Sequence, residues 1–489
     1  MGNILGNLEP KIVWDIFEEI TQIPRPSKRE EKIVAYVIDF ARKHGLEYRQ
    51  DKLGNVVIKK PATPGMENRK GVVIQGHLDM VCEKNADVEH DFLNDPIKPY
   101  VDGDWVKAQG TTLGADNGIG VAMGLAVLAS KDIAHPDVEV LLTLDEETGL
   151  TGAQQLGQDL LENKILINLD SEEEGVFIIG CAGGINTSGS FYYESEPVPS
   201  NHIAYKISLK GLMGGHSGLE INDGRGNAIK LLNRFLWLLW KKIDFRLSSF
   251  DGGNAHNAIP REAFATITFN QKNEIKFHSF ADEFRHILST EWKSKEPNIE
   301  LIYEKVELPD FVLSRETQKK LLNALYVLPH GVIRFSPDVK GLVQTSTNLA
   351  VIKTNPNEIF VLTSQRSSVE TEKFDISNQV KIGFELAGAL PKQGEGYPSW
   401  QPNINSPILE IAKETYTKMF GVAPKIEVIH AGLECGLIGE KYPGMDMISF
   451  GPNLKDVHSP AERVQISSVK NIWNFLLEVL KNIPEKEQA

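Results

Sequence analysis

Cysteine is scarce in this sequence: Cys82, Cys181 and Cys435 are the only three in 489 residues, and none stands in a CxxC pair. That excludes a thiolate zinc knuckle and a disulfide framework, and it fits a reducing compartment. Basic runs are missing too. With a formal charge of −14 and no lysine- or arginine-rich stripe, the chain offers nothing to a nucleic acid or to an anionic membrane surface. Long apolar runs are also lacking. The longest candidate, LLNRFLWLLW at 231–240, is broken by Arg234 and closed by Lys241 and Lys242, well short of the roughly 20 residues a bilayer requires. No basic segment followed by an apolar one opens the chain, so no secretory signal is read there. These absences predict a cytoplasmic protein working on small molecules, without nucleic acid or membrane as partner.

What the chain does have is length and alternation. At 489 residues, 41% hydrophobic and 24% charged, it exceeds what one hydrophobic core serves, and two or more domains are expected. PKIVWDIFEEITQI has helical apolar spacing, NVVIKK and GVVIQGHLDM are strand-like, GIGVAMGLAVLAS is helical, and VEVLLTLDEE is another strand. Near-continuous apolar strands between helices predict an α/β fold, a mostly parallel sheet covered by helices on both faces. After LINLDSEEEGVFIIGCAGG the strands lengthen and alternate, as in HIAYKISLKGL and AFATITFNQ, with the helical NAIKLLNRFLWLLWKKI between them. Strand-helix alternation returns after the Pro/Gly-rich GALPKQGEGYPSWQPN. The expected organisation is an α/β domain in two parts, 1–186 and 395–489, with an inserted α+β domain at 187–394. The insert is long enough for two similar halves, and ISLKGLMGGHSG and PDVKGLVQTSTNLAVI hint at a repeat.

The stretch VVIQGHLDMV raises a chemical question, because a buried strand here ends by presenting His77 and Asp79. Ionisable groups in that position must be paired, metal-bound or reactive. Four further clusters occupy the same kind of position, just after an apolar strand or at a glycine-rich turn. They are Asp116 in TTLGADNGIG, Glu146 and Glu147 in LLTLDEETGLTG, Asp170 in LINLDSEE, and His458 in FGPNLKDVHSPAE. In a parallel sheet such residues converge on the carboxyl edge of the strands. Singly, each has an ordinary reading as a paired or solvated group. Together, two imidazoles and several carboxylates without thiolates form a nitrogen and oxygen ligand set suited to zinc, cobalt or manganese.

GHLDMVCEKN, TTLGADNGIG, LTLDEETGLTGA and HAGLECG resemble the dinuclear zinc exopeptidases that include aminoacylase, carboxypeptidase G and the carnosinases. Within that family they are most like the bacterial dipeptidases that accept aminoacyl-histidine substrates. The resemblance spans essentially the whole chain. It implies that His77, Asp116, Glu147, Asp170 and His458 hold two divalent metal ions, zinc first and cobalt or manganese as alternatives. Asp116 would bridge both ions, pairing one with His77 and Asp170 and the other with Glu147 and His458. Three carboxylates against two divalent ions leave one positive charge, which favours ionisation of a bridging water. Glu146, beside a ligand but not one itself, would be the general base. Asp79 would accept the other N–H of His77 and fix its tautomer. The family also implies a cis peptide bond at Asp116–Asn117.

The same resemblance makes the insert a lid. GLMGGHSGLEINDGRGNA matches the lid motif in which His216 would donate to the tetrahedral oxyanion. Arg366 in LTSQRSSV and Asn257 in AHNAIPRE match positions that hold a substrate's C-terminal carboxylate, and Gly432 and Glu434 in HAGLECG fall where relatives line the cleft. Dimeric members carry a shorter lid and borrow the oxyanion histidine from a neighbour. A doubled lid would supply His216 from its own chain, which leaves homodimer and monomer both open. The implied function is a metallo-dipeptidase that hydrolyses unblocked dipeptides, including Xaa-His, by a water bridging two ions. The rival readings are an N-acyl amino acid deacylase or an aminotripeptidase of the same fold, and, more remotely, a catalytically inactive metal-binding protein.

Overall fold

The computed structural model describes residues 4–486, so the first three residues of the N-terminal stretch lie outside it. The chain divides into two compact units. One comprises Met1–Gly180, Pro402–Val428 and Leu433–Ala489; the other comprises Cys181–Gln401 and Ile429–Gly432. Strand Gly183–Tyr192 belongs whole to the second unit, so a boundary at 186/187 falls inside a strand rather than between domains.

In the first unit an eight-stranded sheet runs in the order Glu47–Gln50, Val56–Lys60, Val138–Thr143, Val72–His77, Ile165–Asn168, Asp446–Ser449, Val176–Cys181, Lys425–Ile429. Its four central strands, from Val138–Thr143 to Asp446–Ser449, are parallel. Glu47–Gln50 with Val56–Lys60, Val56–Lys60 with Val138–Thr143, and Asp446–Ser449 with Val176–Cys181 pair antiparallel. The cause is local at one edge: Asp51 Oδ1 accepts the N–H groups of Leu53, Gly54 and Asn55, closing a tight hairpin that only an antiparallel pair can use. Every residue of Val72–His77 and of Val138–Thr143 is buried. Since side chains alternate between faces, both faces of the sheet centre are covered. Helix Ala115–Ala129 packs on one of them, and a Cβ at Gly124 would meet Val140 Cγ1 at 3.0 Å, so glycine there permits the close approach.

The second unit is built from two halves with the same connection, strand–helix–strand–strand–helix–strand. One half runs His202–Lys210, Ala228–Trp240, Phe245–Gly252, Ala263–Asn270, Glu274–Trp292, Glu300–Val306. The other runs Gly183–Tyr192, Arg315–Val327, Val343–Asn355, Glu358–Ser367, Glu370–Leu386, Leu390–Gln393. In both the sheet order is second, third, first, fourth strand, and the halves join where Gly252 pairs with Ile352. The first half is thus inserted after the opening strand of the second. The stretches that hinted at a repeat do not occupy equivalent places: His202–Lys210 corresponds to Gly183–Tyr192, and Val343–Asn355 to Phe245–Gly252. Phe235, Phe245, Phe250, Phe269, Phe277 and Phe284 fill the core of this unit. No helix among the described residues is long and apolar enough to cross a membrane.

Candidate metal centre

The carboxyl ends of the central strands of the first unit present the residues expected as ligands. His77 closes its strand, Thr143 ends the next just before Glu146 and Glu147, and Asn168 ends a third just before Asp170. Asp116 opens the helix Ala115–Ala129, and its peptide bond to Asn117 is cis. His458 follows the strand Leu454–Lys455 with φ +60°, half its side chain exposed.

Two groups of ligand atoms, His77/Asp116/Asp170 and Asp116/Glu147/His458, each gather within 4.8 Å, and they share Asp116. His77 Nε2 lies 3.2 Å from Asp116 Oδ1 and 3.4 Å from Asp170 Oδ1. His458 Nε2 lies 3.1 Å from Asp116 Oδ2 and 3.1 Å from Glu147 Oε2. Asp116 therefore turns one oxygen to each group. A further gathering of His77, Glu146 and Glu147 places Glu146 at the same spot. Asp79 is fully buried, 3.3 Å from His77 Nδ1, and accepts the N–H groups of Glu146 and Glu147 at 3.0 and 3.2 Å. It orients the ring and the turn together.

The electrostatics call for cations. Burial disfavours charge on His77, yet Asp170 and Asp116 hold its pKa well above the usual value. Hydrogen bonds to Asp116 and Glu147 push His458 up to about 11. Burial pushes Asp170 up to about 7 and raises Glu146 well above the carboxylate range. Buried Glu147 Oε1 and Asp170 Oδ1 have no hydrogen-bond partner among the described residues. Orphaned carboxylate oxygens facing imidazole nitrogens, without thiolates, fit two hard or borderline divalent ions.

Three supporting residues carried no signal in the sequence. Glu462, four residues after His458 and buried, accepts the N–H groups of Leu113, Gly114, Ala115 and Asp116 at 2.7, 2.9, 2.8 and 3.2 Å. It holds the segment that delivers Asp116. Arg25, also buried, donates to the carbonyls of Leu78 and Asp79 at 2.9 and 2.7 Å and to that of Gly114. Glu30 forms a fourth, all-carboxylate group with Asp79 and Asp145, but its Oε1 already accepts the N–H groups of Lys28 and Asp145. Threonine hydroxyls occupy Asp145, so that group is a braced turn rather than a metal site. Glu434 lies 1% exposed beneath the strand ends, its Oε2 accepting from Gln75 Nε2 at 2.6 Å and Thr143 Oγ1 at 2.8 Å. That oxygen braces the strands that lead to His77 and Glu146, while Oε1 is buried without a hydrogen-bond partner among the described residues.

His216, Asn257, Arg366 and Gly432 all belong to the second unit. Strand Gly215–His216 pairs with Ala258–Ile259, and Ser217 N–H donates to the Asn257 carbonyl at 2.8 Å. His216 Nδ1 accepts the N–H groups of Gly218 and Leu219 at 3.2 and 3.1 Å, so its proton sits on Nε2. Burial and then the charge of Arg366 lower its pKa, keeping the ring neutral. The ends of this loop are clamped by Glu296, fully buried, which accepts from Met213 N–H at 2.8 Å and Gly226 N–H at 2.7 Å. Arg366 is 5% exposed and has no carboxylate partner among the described residues; its Nη1 donates to Tyr397 Oη at 2.8 Å.

A fold with a parallel sheet whose carboxyl edge presents two ligand groups bridged by one aspartate defines the class as a metallohydrolase with places for two ions. The chain belongs to the peptidase family M20/M25/M40, whose model matches residues 73–482. It is 47% identical over 485 residues to the cytosol non-specific dipeptidase of Escherichia coli, covering 99% of each chain. The crystal structure of aminoacylhistidine dipeptidase from Vibrio alginolyticus superposes with a TM-score of 0.94 at 46% identity, covering 99% of both chains. A tripeptidase from Staphylococcus aureus, 16% identical with a TM-score of 0.56 over 97% of this chain and 99% of its own, shares the fold.

Proposed function

We infer that this chain is a dipeptidase, and propose that it acts on unblocked dipeptides, those with C-terminal histidine included. Dipeptidase activity follows from near-full-length identity of 47% and 46% with two dipeptidases. The observation that carries the proposed site is the double engagement of Asp116, with one oxygen toward His77 and the other toward His458. His77, Asp116, Glu147, Asp170 and His458 would hold two divalent ions, zinc by preference, with cobalt and manganese compatible with the same donors. Such ions, when bound, act as Lewis acids that polarise the scissile carbonyl and acidify a water.

The chain's own groups divide the remaining work. Glu146 takes a proton from the attacking water and returns it to the leaving amine; burial raises its pKa above the carboxylate range, which favours holding that proton between the two transfers. Asp79, whose Oδ1 lies 3.3 Å from His77 Nδ1, would take the proton of that nitrogen and leave Nε2 free to bind metal. His216, with its proton on Nε2, donates to the oxyanion. Arg366, a buried guanidinium lacking an acidic partner, takes the substrate's C-terminal carboxylate, with Asn257 in the neighbouring loop. Gly432, next to Tyr397, leaves room for that ring. A cytosolic location is proposed as well, supported by the name of the Escherichia coli relative and by three cysteines that form no disulfide. The test is turnover of β-Ala-His and ordinary dipeptides beside their N-acetylated forms, with Zn²⁺, Co²⁺ or Mn²⁺ restored to stripped protein. Cleavage of the free peptides alone is expected; cleavage of the acetylated forms alone would replace this reading by a deacylase.

A further inference from the structure

We propose that Tyr397 is a second hydrogen-bond donor to the substrate's C-terminal carboxylate, acting beside Arg366 and setting the preference for a free acid over a C-terminal amide. The proposal rests on the reading of Arg366 as the carboxylate holder. Its first support is the direction of the Arg366–Tyr397 bond. A guanidinium has donors only, so the phenolic oxygen must accept from Arg366 Nη1 at 2.8 Å. The phenolic hydrogen is then not taken up by the guanidinium. Arg366 Nε, also buried, has no acceptor among the described residues. Two donors of different chemical type, the Nε–H and the phenolic O–H, therefore stand side by side on a buried cation that has no acidic partner among the described residues. A planar anion with two oxygens satisfies both, and polarisation of the hydroxyl by the guanidinium strengthens its donation.

The second support is how much of the surrounding chain is spent on putting the ring there. Arg366 is opposite Gly184 on the neighbouring strand, and Gly184 and Tyr397 exchange backbone hydrogen bonds at 3.1 and 2.8 Å. A Cβ at Gly184 would meet Tyr397 Cζ at 2.6 Å, and one at Gly432 would meet its Cε2 at 2.9 Å. Only glycine at both positions lets the ring lie across the strand to reach Arg366. Lys373, itself buried, donates to the Tyr397 carbonyl at 2.8 Å and to Glu370 at 2.6 Å, and Glu370 accepts from Ser399 N–H at 3.0 Å. The segment around Tyr397 is thus fixed on three sides, with its hydroxyl held against Arg366.

The experiment compares kcat/KM for a dipeptide and the same dipeptide amide, in metal-loaded wild type, Tyr397→Phe and Gly184→Ala. Wild type is expected to prefer the acid. Tyr397→Phe should cut that preference about tenfold, the worth of one hydrogen bond to a charged group, by raising KM for the acid while kcat and the amide's constants hold. Gly184→Ala, which displaces the ring, should follow the same pattern. An unchanged acid-to-amide ratio in Tyr397→Phe overturns the role of Tyr397 and leaves Arg366 standing. A wild type indifferent to amidation overturns the Arg366 assignment, and the Tyr397 role with it.

Discussion

Asp116 has two carboxylate oxygens and turns them to two imidazoles, at 3.2 and 3.1 Å. At the residue scale, much of the site is a matter of which nitrogen carries a proton. His216 is the clearest case, because two backbone N–H groups occupy Nδ1. Protonating that nitrogen would set three donors against one another, which agrees with the lowered pKa that burial and Arg366 impose. A histidine with a depressed folded pKa stabilises the fold above its ordinary value of 6.5 and loses that contribution as pH falls through the lower folded value. An NMR titration should therefore place the His216 midpoint below 6.5; a midpoint above it would remove the neutral donor from the mechanism. The residues proposed as ligands were legible in the sequence because each follows an apolar strand or a glycine turn, and His77, Asp116, Glu147, Asp170 and His458 do gather in space. Tyr397 was not, since its role comes from the absence of side chains at Gly184 and Gly432, far apart in the chain.

At the scale of elements, the structure relies on buried carboxylates that bind backbone rather than cations. Glu462 closes the segment that precedes helix Ala115–Ala129, and Glu296 closes the loop that carries His216. Neither could be singled out by pattern, because a carboxylate 70 to 349 residues from the N–H groups that donate to it leaves no local trace. Glu462→Gln keeps one acceptor oxygen and presents an amine to the remaining N–H groups. It should destabilise the protein by about 1–3 kcal/mol and weaken metal binding roughly 10–100-fold, measured by thermal unfolding and metal titration. Unaltered affinity would show that Asp116 holds its position without this staple. Elements themselves were well marked by periodicity, whereas the antiparallel flanks of the sheet were not. Apolar strands in both parallel and flanking positions look alike, and the hairpin closed by Asp51 is what sets direction at the edge.

At the scale of the whole molecule, a chain of −14 net charge gathers three carboxylates with Glu146 at one buried place, so divalent ions should be part of its stability. Ligand binding at a hundredfold excess over Kd adds about 2.7 kcal/mol per site. Without ions, the raised histidines carry the balance of charge. Their stabilising contribution is full below 6.5 and falls as pH rises toward the value of about 11 for His458. Thermal unfolding with and without chelator should thus show a gap that widens from pH 6.5 upward; a gap that closes would contradict this charge arrangement. The doubled architecture of the second unit was only hinted at in sequence, because equivalent strands share topology and not side chains. The central claim is that two ions and Glu146 together make this chain a dipeptidase. It is tested most directly by measuring bound metal and dipeptide turnover in Glu146→Gln beside wild type. Two ions per chain are expected in both proteins, with a kcat lowered about 10²–10⁴-fold in the variant. Turnover at the wild-type rate with both ions bound would contradict it.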